Sequence, residues 1–157
     1  AGAFGFFQFM PSTMKNYAID YDNNSYIDLK NNNDAYASAA NYLSQIGWND
    51  KLPCFYKINL LNDVPKKYLN VSAKKLHNKK KLKYFRKYIN NHSILNSNYD
   101  NLTVSIITPD KDIIPDAENL NPAYIVFENY EIILKWNRSL RFSLAVCTLK
   151  DKFANEL

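Results

Sequence analysis

Apolar residues recur along this chain with two different periods, and the switches between them mark its organisation. Ala35, Ala39, Tyr42, Leu43 and Ile46 fall at i, i+4, i+7, i+8 and i+11, one face of a helix that begins near Asp34 and ends at Gly47. Phe142, Ala145, Val146, Leu149 and Phe153 repeat helical spacing behind Ser139, a suitable N-cap, and predict a second buried stripe. Tyr130 to Trp136 predicts another helix, broken at Asn137-Arg138, and Pro11 suits the first turn of a short helix over Ser12 to Ala18. Between these lie two β-branched and aromatic runs, Thr103 to Ile107 and Tyr124 to Phe127, which predict strands. The stretch joining them holds Pro109, Pro115 and Pro122 and reads as turns. From Lys51 to about Asn101 the periodicity is poor, and the one element suggested there is a basic helix across Ser72 to Tyr88.

Composition changes this picture in two places. The net charge of +5 is a misleading average, because ten of the twenty basic residues lie between Lys66 and Lys87 and the rest of the chain is acidic. Charge runs of this kind are usually solvated surface; attraction to an anionic polymer or to nucleic acid are the alternatives, the last suggested by Tyr68, Tyr84 and Tyr88 among the lysines. The abundance of Asn, Lys, Tyr and Ile is what an AT-rich genome would impose, so the run Asn31-Asn32-Asn33 carries little functional weight. No stretch of eighteen apolar residues is present, so no transmembrane segment is expected. Cys54 and Cys147, with no neighbouring ligand pattern, argue against zinc. They could pair in an oxidising compartment, but Cys147 lies on the apolar side of its helix and reads more simply as a core residue.

Asp20, Asp22, Asn24 and Tyr26 stand at positions 1, 3, 5 and 7 of a loop that could wrap oxygen atoms around calcium, Tyr26 through its backbone carbonyl. The twelfth position, where an EF-hand carries Glu, is Asn31, and Ser25 stands where the turn Gly is usual. The alternative is an Asx-rich turn with Asp34 capping the following helix. His77 and His92 lie in the poorly patterned middle without a nucleophile motif, and the three Gly, at 2, 5 and 47, cannot supply a phosphate loop.

The opening residues Ala1-Gly2-Ala3-Phe4-Gly5-Phe6-Phe7-Gln8-Phe9-Met10-Pro11-Ser12, followed by the Asp20 to Asp34 loop, resemble the lytic murein transglycosylase B family. The likeness resumes at Asn129-Tyr130 and runs through Trp136-Asn137-Arg138-Ser139 to Ala145-Val146, with Trp136 and Phe142 where the family has Tyr. It implies an α+β fold, mainly helical and lysozyme-like (goose-type, SLT-related), with a small inserted β-rich subdomain. Residues 1–50 would belong to the catalytic domain with its calcium loop, 51–127 would be a basic insert and β subdomain, and 128–157 would return to the catalytic domain. The family's calcium loop is longer than an EF-hand and ends on an Asp where Asp34 stands, so the implied ligands of Ca2+ are Asp20, Asp22, Asn24, Tyr26 and Asp34.

The resemblance also implies a substrate, the glycan strands of peptidoglycan, and a reaction, cleavage between MurNAc and GlcNAc with formation of 1,6-anhydro-MurNAc. Gln8, Tyr42, Trp136 and Asn137 match segments that line the family's cleft and are the expected substrate contacts; Phe9 and Met10 are expected in the core. The family's acid is a Glu in a Gly-x-Glu-Ser frame upstream of the Gln-Phe-Met-Pro segment. No Glu precedes Gln8 here, and Glu118, Glu128, Glu131 and Glu156 stand in no such frame, so no catalytic residue is expected within the chain. The chain therefore reads as the C-terminal portion of a periplasmic or outer-membrane-associated, monomeric enzyme with no nucleic-acid partner. The alternatives are a non-catalytic peptidoglycan-binding or relic fragment and, less well supported by the motifs, a basic interaction protein.

Overall fold

The computed structural model describes residues 2–110 and 122–156, and its chain forms two compact units, 1–49 and 50–157. Pro115 and Glu118 lie outside the described residues.

The first unit is built on two helices. Helix α1 (Pro11–Tyr17) starts one residue earlier than the sequence suggests, with Pro at its first position, where the missing N–H costs nothing. Helix α2 (Asn32–Gln45) buries Asp34, Ala35, Ser38 and Ala39, with Tyr42, Leu43 and Ile46 half-buried on the same face. Its cap is Asn31, whose side chain accepts from the Asn33 N–H at 2.8 Å, so one member of the discounted Asn run has a structural task. Gly47, at φ 105°, closes the C-terminus, where the Trp48 N–H reaches the Leu43 carbonyl at 2.9 Å. Ser38 Oγ accepts from the Ile19 N–H at 3.0 Å and fastens the intervening loop to the helix.

The second unit is a mixed sheet with helices. Strands β1 (Phe55–Ile58), β2 (Leu69–Asn70), β3 (Lys80–Lys81), β4 (Thr103–Ile107) and β5 (Ala123–Val126) are joined in the order β1-β5-β4-β2, with β3 also on β4. The two strands expected from the sequence are the central antiparallel pair, Ile106 opposite Ile125. The other three fall in the stretch of poor periodicity, two of them only two residues long. Val104, Ile106 and Ile125 face a core with Ile58, Leu82, Phe85, Ile89 and Phe127. Ser105, Ile107 and Val126, of opposite parity, are buried too, so the centre of the sheet is covered on both faces.

The expected basic helix across Ser72 to Tyr88 does not form. The backbone instead runs through an irregular loop into β3, then a single helical turn, α3 (Leu82–Phe85). Asn70 explains this: its Nδ2 donates to the Ile106 carbonyl at 2.9 Å and its Oδ1 accepts from the His77 N–H at 2.7 Å, which folds the loop back on β4. Tyr68 and Tyr88 point inward and are buried, while Lys67 and Lys87 ammonium groups lie over their rings at 5.2 and 4.8 Å.

Helices α4 (Glu128–Trp136) and α5 (Leu140–Glu156) complete the unit. The buried Tyr130 hydroxyl donates to the Leu140 carbonyl at 2.7 Å across the break, and burial pushes its pKa upward. Ser139 Oγ accepts from the Phe142 N–H at 3.2 Å, the expected cap. The expected stripe, however, is out of phase: Phe142, Leu149 and Phe153 are 40%, 54% and 58% exposed, while Leu140, Ser143 and Cys147 face inward. Cys147, on the inward side, is bonded to Cys54 just before β1, a disulfide in place of the expected free core thiol.

The disulfide closes a loop of 93 residues, for which the chain-entropy argument gives about 4.6 kcal/mol. Urea unfolding of the second unit should therefore show a loss of that order on reduction. A Cys54→Ser, Cys147→Ser variant should be equally weakened and indifferent to reductant.

Candidate functional site

The segment Phe4 to Phe9 is a tight hairpin, with Phe4 and Phe9 exchanging backbone hydrogen bonds at 2.9 Å in both directions. Its turn needs Gly5 for two reasons. Gly5 has φ 77°, and a Cβ placed there would lie 2.5 Å from Leu29 Cβ and 2.6 Å from the Leu29 carbonyl oxygen. The Phe6 N–H donates to that same carbonyl at 3.0 Å, so the hairpin is seated on Leu29.

Gln8 projects from this turn at φ 52°, exposed, with Nε2 donating to the Gly5 carbonyl at 2.8 Å. That bond fixes the amide plane and leaves Oε1 and a second N–H to offer a sugar substituent. Phe9 is buried as expected, whereas Met10 is half exposed: it precedes Pro11 in extended backbone, so consecutive side chains point to opposite sides. Tyr42 packs edge-on against Phe9, with centroids 5.9 Å apart, and lies 4.9 Å from the Tyr17 ring; burial raises its pKa. The two halves of the expected substrate set belong to different units. Gln8 and Tyr42 stand in the first, and half-buried Trp136 and exposed Asn137 stand at the end of α4 in the second.

The acidic loop is the densest constellation of the first unit. Carboxylate oxygens of Asp20, Asp22 and Asp34 lie within 4.8 Å of one another. Asp20 accepts from the Asn24 and Ser25 N–H groups at 3.1 and 2.7 Å, Asp22 from Asn24 at 3.3 Å, and Asn24 Oδ1 from Tyr26 at 2.8 Å. Asp34 is fully enclosed and does not cap its helix. Its two oxygens accept from the Tyr21 N–H at 2.9 Å and the Asp28 N–H at 2.8 Å, which holds its carboxyl below the usual carboxylate range. Three carboxylates and an amide oxygen make an all-oxygen donor set that suits a hard cation. Ser25, where calcium loops favour Gly, adopts φ 70°, and the neighbouring Asn23 φ 58°. Asp28, absent from the expected ligands, has its Oδ1 on the Lys30 N–H at 2.8 Å.

Sequence reasoning located the acidic loop, gave no hairpin over residues 4–9, and missed the residue that joins the two. Leu29, buried between the Asp28 N–H bound by Asp34 and the Gly5 turn, looks like an ordinary loop leucine; its signal is only an apolar residue isolated in a polar run.

These are the features of an α+β, lysozyme-like peptidoglycan transglycosylase fold. The Transglycosylase SLT domain model matches residues 1–151, and the chain belongs to that family. Membrane-bound lytic murein transglycosylase B of Escherichia coli (strain K12) is 48% identical over 48 residues, 31% of this chain and 13% of that protein. SltB3 from Pseudomonas aeruginosa, solved in complex with NAG-anhNAM-pentapeptide, superposes with a TM-score of 0.81 at 30% identity over 98% of this chain and 39% of its own. The Escherichia coli lytic transglycosylase Slt35 in complex with calcium shares the fold at 21% identity, TM-score 0.71, over 99% of this chain and 45% of that one. The chain thus spans less than half the length of each of these relatives. Among the described residues, no helix is long and apolar enough to cross a membrane.

Two substitutions separate the supports of the site. Gly5→Ala forces both a positive φ and an overlap with Leu29, and should destabilise the first unit by about 2–4 kcal/mol in thermal or urea melts. Ser25→Gly relieves a left-handed residue and should stabilise it by about 1 kcal/mol. A third expectation concerns pH. The lowered pKa of Asp34 contributes stability that is present above the ordinary carboxylate pKa and lost as pH falls through the lowered value. Asp34→Asn should therefore melt earlier at neutral pH and flatten the acid limb of the stability profile.

Proposed function

We propose that this chain forms part of a peptidoglycan-cleaving site that opens the MurNAc–GlcNAc bond with formation of 1,6-anhydro-MurNAc. The observation that carries the reading is the hairpin on Leu29, which presents the Gln8 amide from a turn held by Gly5. SltB3, 30% identical over nearly the whole of this chain, is complexed with a NAG-anhNAM-pentapeptide, which agrees with such a substrate.

In this reading residues 1–50 belong to the catalytic domain, 51–127 form a β-rich insert, and 128–157 return to it. Gln8 and Asn137 read hydroxyl and N-acetyl groups through their amides, while Tyr42 and Trp136 offer ring faces to the sugars. The reaction needs one carboxylic acid that protonates the bridging oxygen and then takes the proton of the muramic 6-hydroxyl as that oxygen closes the anhydro ring. No water is consumed. Residues 1–49 contain no Glu, and their four Asp all accept loop N–H bonds, so none of them is assigned the role of the acid. The same commitment of carboxylates favours a second reading, a module that binds peptidoglycan without cutting it. The enzyme would work in the periplasm or at the outer membrane.

Asp20, Asp22, Asn24 and Asp34, with the Tyr26 carbonyl, are proposed to hold calcium. Bound there, the ion would neutralise the clustered carboxylates and brace the loop on which the hairpin sits. Slt35, of the same fold, is known in complex with calcium.

Two measurements test these assignments. Calcium at a hundredfold its Kd should raise stability by about 2.7 kcal/mol and a chelator should abolish the gain; an unchanged melting midpoint would remove calcium from the account. Peptide-free glycan strands should bind the chain, with Gln8→Ala and Trp136→Ala each weakening binding by about 1 kcal/mol. Sacculi should be retained but should release no anhydro-muropeptides, and release would place the acid within this chain.

A further inference from the structure

We propose that a lysine-rich groove in the second unit binds the carboxylates of peptide arms carried by the glycan strand, an inference that rests on the glycan reading above. Three depressions lie side by side, each sharing lysines with the next. The first, about 550 Å³, lies between β3 and α4 and is lined by Lys79, Lys81 and Lys135 together with Glu128 and Glu131. The second, about 400 Å³, shares Lys79, Glu131 and Lys135 with it and adds Lys74, Lys75 and Arg138. The third, about 430 Å³, shares Lys74 and Lys75 with the second and adds Lys66, Lys67 and His77. Eight Lys and Arg side chains thus line the groove against two carboxylates. Glu131 already accepts from Lys79 at 2.7 Å, so the field along the groove is that of an excess of cations.

The chemistry of the lining selects the occupant. Lysine ammonium groups are mobile point charges with three donors each, suited to carboxylates on a flexible arm. Between them the walls are aliphatic, with Ala73, Leu76 and Leu134 in the middle and Leu69 and Val71 at the far end, which suits methyl and methylene groups. A single-stranded nucleic acid would need free aromatic faces on which to stack its bases. The tyrosines interleaved with these lysines do not provide them: Tyr68 and Tyr88 are buried, and the Tyr84 ring has the Lys80 and Lys87 ammonium groups over it at 5.7 and 4.9 Å. The groove also begins where the glycan contacts are proposed. Lys135 and Arg138, which line it, flank Trp136 and Asn137 at the end of α4. An anionic arm leaving a sugar held there would enter the groove directly.

The test is a set of titrations of this chain with three ligands. They are the N-acetylated pentapeptide L-Ala–D-Glu–diaminopimelate–D-Ala–D-Ala, the same peptide with every carboxyl amidated, and peptide-free glycan strands. The acidic peptide should bind at least tenfold more tightly than the amidated one at low salt, and the gap should close at high salt. A Lys74→Gln, Lys75→Gln, Arg138→Gln variant, altered at three exposed positions, should lose about tenfold for the acidic peptide. It should keep its melting midpoint and its affinity for peptide-free glycan. A variant with the same charge removed elsewhere on the unit, Lys57→Gln, Lys83→Gln, Lys152→Gln, should bind as the parent does. Equal binding of the two peptides, or equal losses in the two variants, would overturn the proposal. So would tighter groove-dependent binding of oligothymidylate than of the peptide. If the acidic peptide binds as expected while peptide-free glycan does not, the groove stands and the glycan reading of Gln8 and Trp136 falls.

Discussion

The first unit depends on one buried carboxylate. Asp34 sits a turn into α2, enclosed, with its two oxygens reaching back to the N–H groups of Tyr21 and Asp28. A buried charge is tolerable only when donors replace its water, and here the donors come from both ends of the acidic loop. Fixing Asp28 places Leu29, Leu29 receives the Phe6 N–H and the face of Gly5, and the hairpin so seated aims Gln8. The loop that could hold a cation and the turn that could hold a sugar are therefore one mechanical piece. A disturbance of either should be felt by the other without any change at Gln8 itself.

The second unit is organised around β4. Val104 to Ile107 are buried on both of its faces, with β5 on one edge and β2 and β3 along the other. Everything charged is pushed outward from this strand. Arg86 shows how: its Nε donates to Asp100 at 2.7 Å and its other nitrogens to the carbonyls of His92 and Leu95, so one cation holds the irregular 92–100 stretch. Most of the remaining cations of the segment are left at the rim, and the +5 average resolves into a groove where cations outnumber carboxylates.

What the sequence revealed follows from how local each signal is. Both helices of the first unit, the strand pair β4 and β5, α4 and the Ser139 cap are each written within one window of periodicity or capping chemistry, and each was legible. The β2 and β3 strands were not, because two-residue strands exist only through their partner, and the Asn70 side chain that folds them onto β4 acts over 36 residues. The phase of α5 failed for a related reason. Helical spacing fits Phe142, Val146, Leu149 and Phe153 as well as Leu140, Ser143 and Cys147, and the face that is buried carries a bond to Cys54, 93 residues away, which no local window contains. In the site, residue types at fixed spacing disclosed the acidic loop and the family resemblance pointed to Gln8, while the joint at Leu29 is a packing relation that no motif records.

The carboxylates bear on the chemistry that the described residues can perform. A general acid near neutral pH needs a carboxyl withdrawn from water without a strong donor to stabilise its charge. Among the described residues no carboxyl has that setting. Asp20, Asp22, Asp28 and Asp34 accept backbone N–H groups, and Asp100, Asp110, Glu131 and Asp151 pair with Arg86, Arg141, Lys79 and Lys150. Asp50, Asp63, Glu128 and Glu156 stand exposed to water. The groups suited to holding a glycan, by contrast, are amides and aromatic rings, which need no desolvated charge and can be supplied by a turn and a helix end. Recognition and acid catalysis thus make opposite demands on burial.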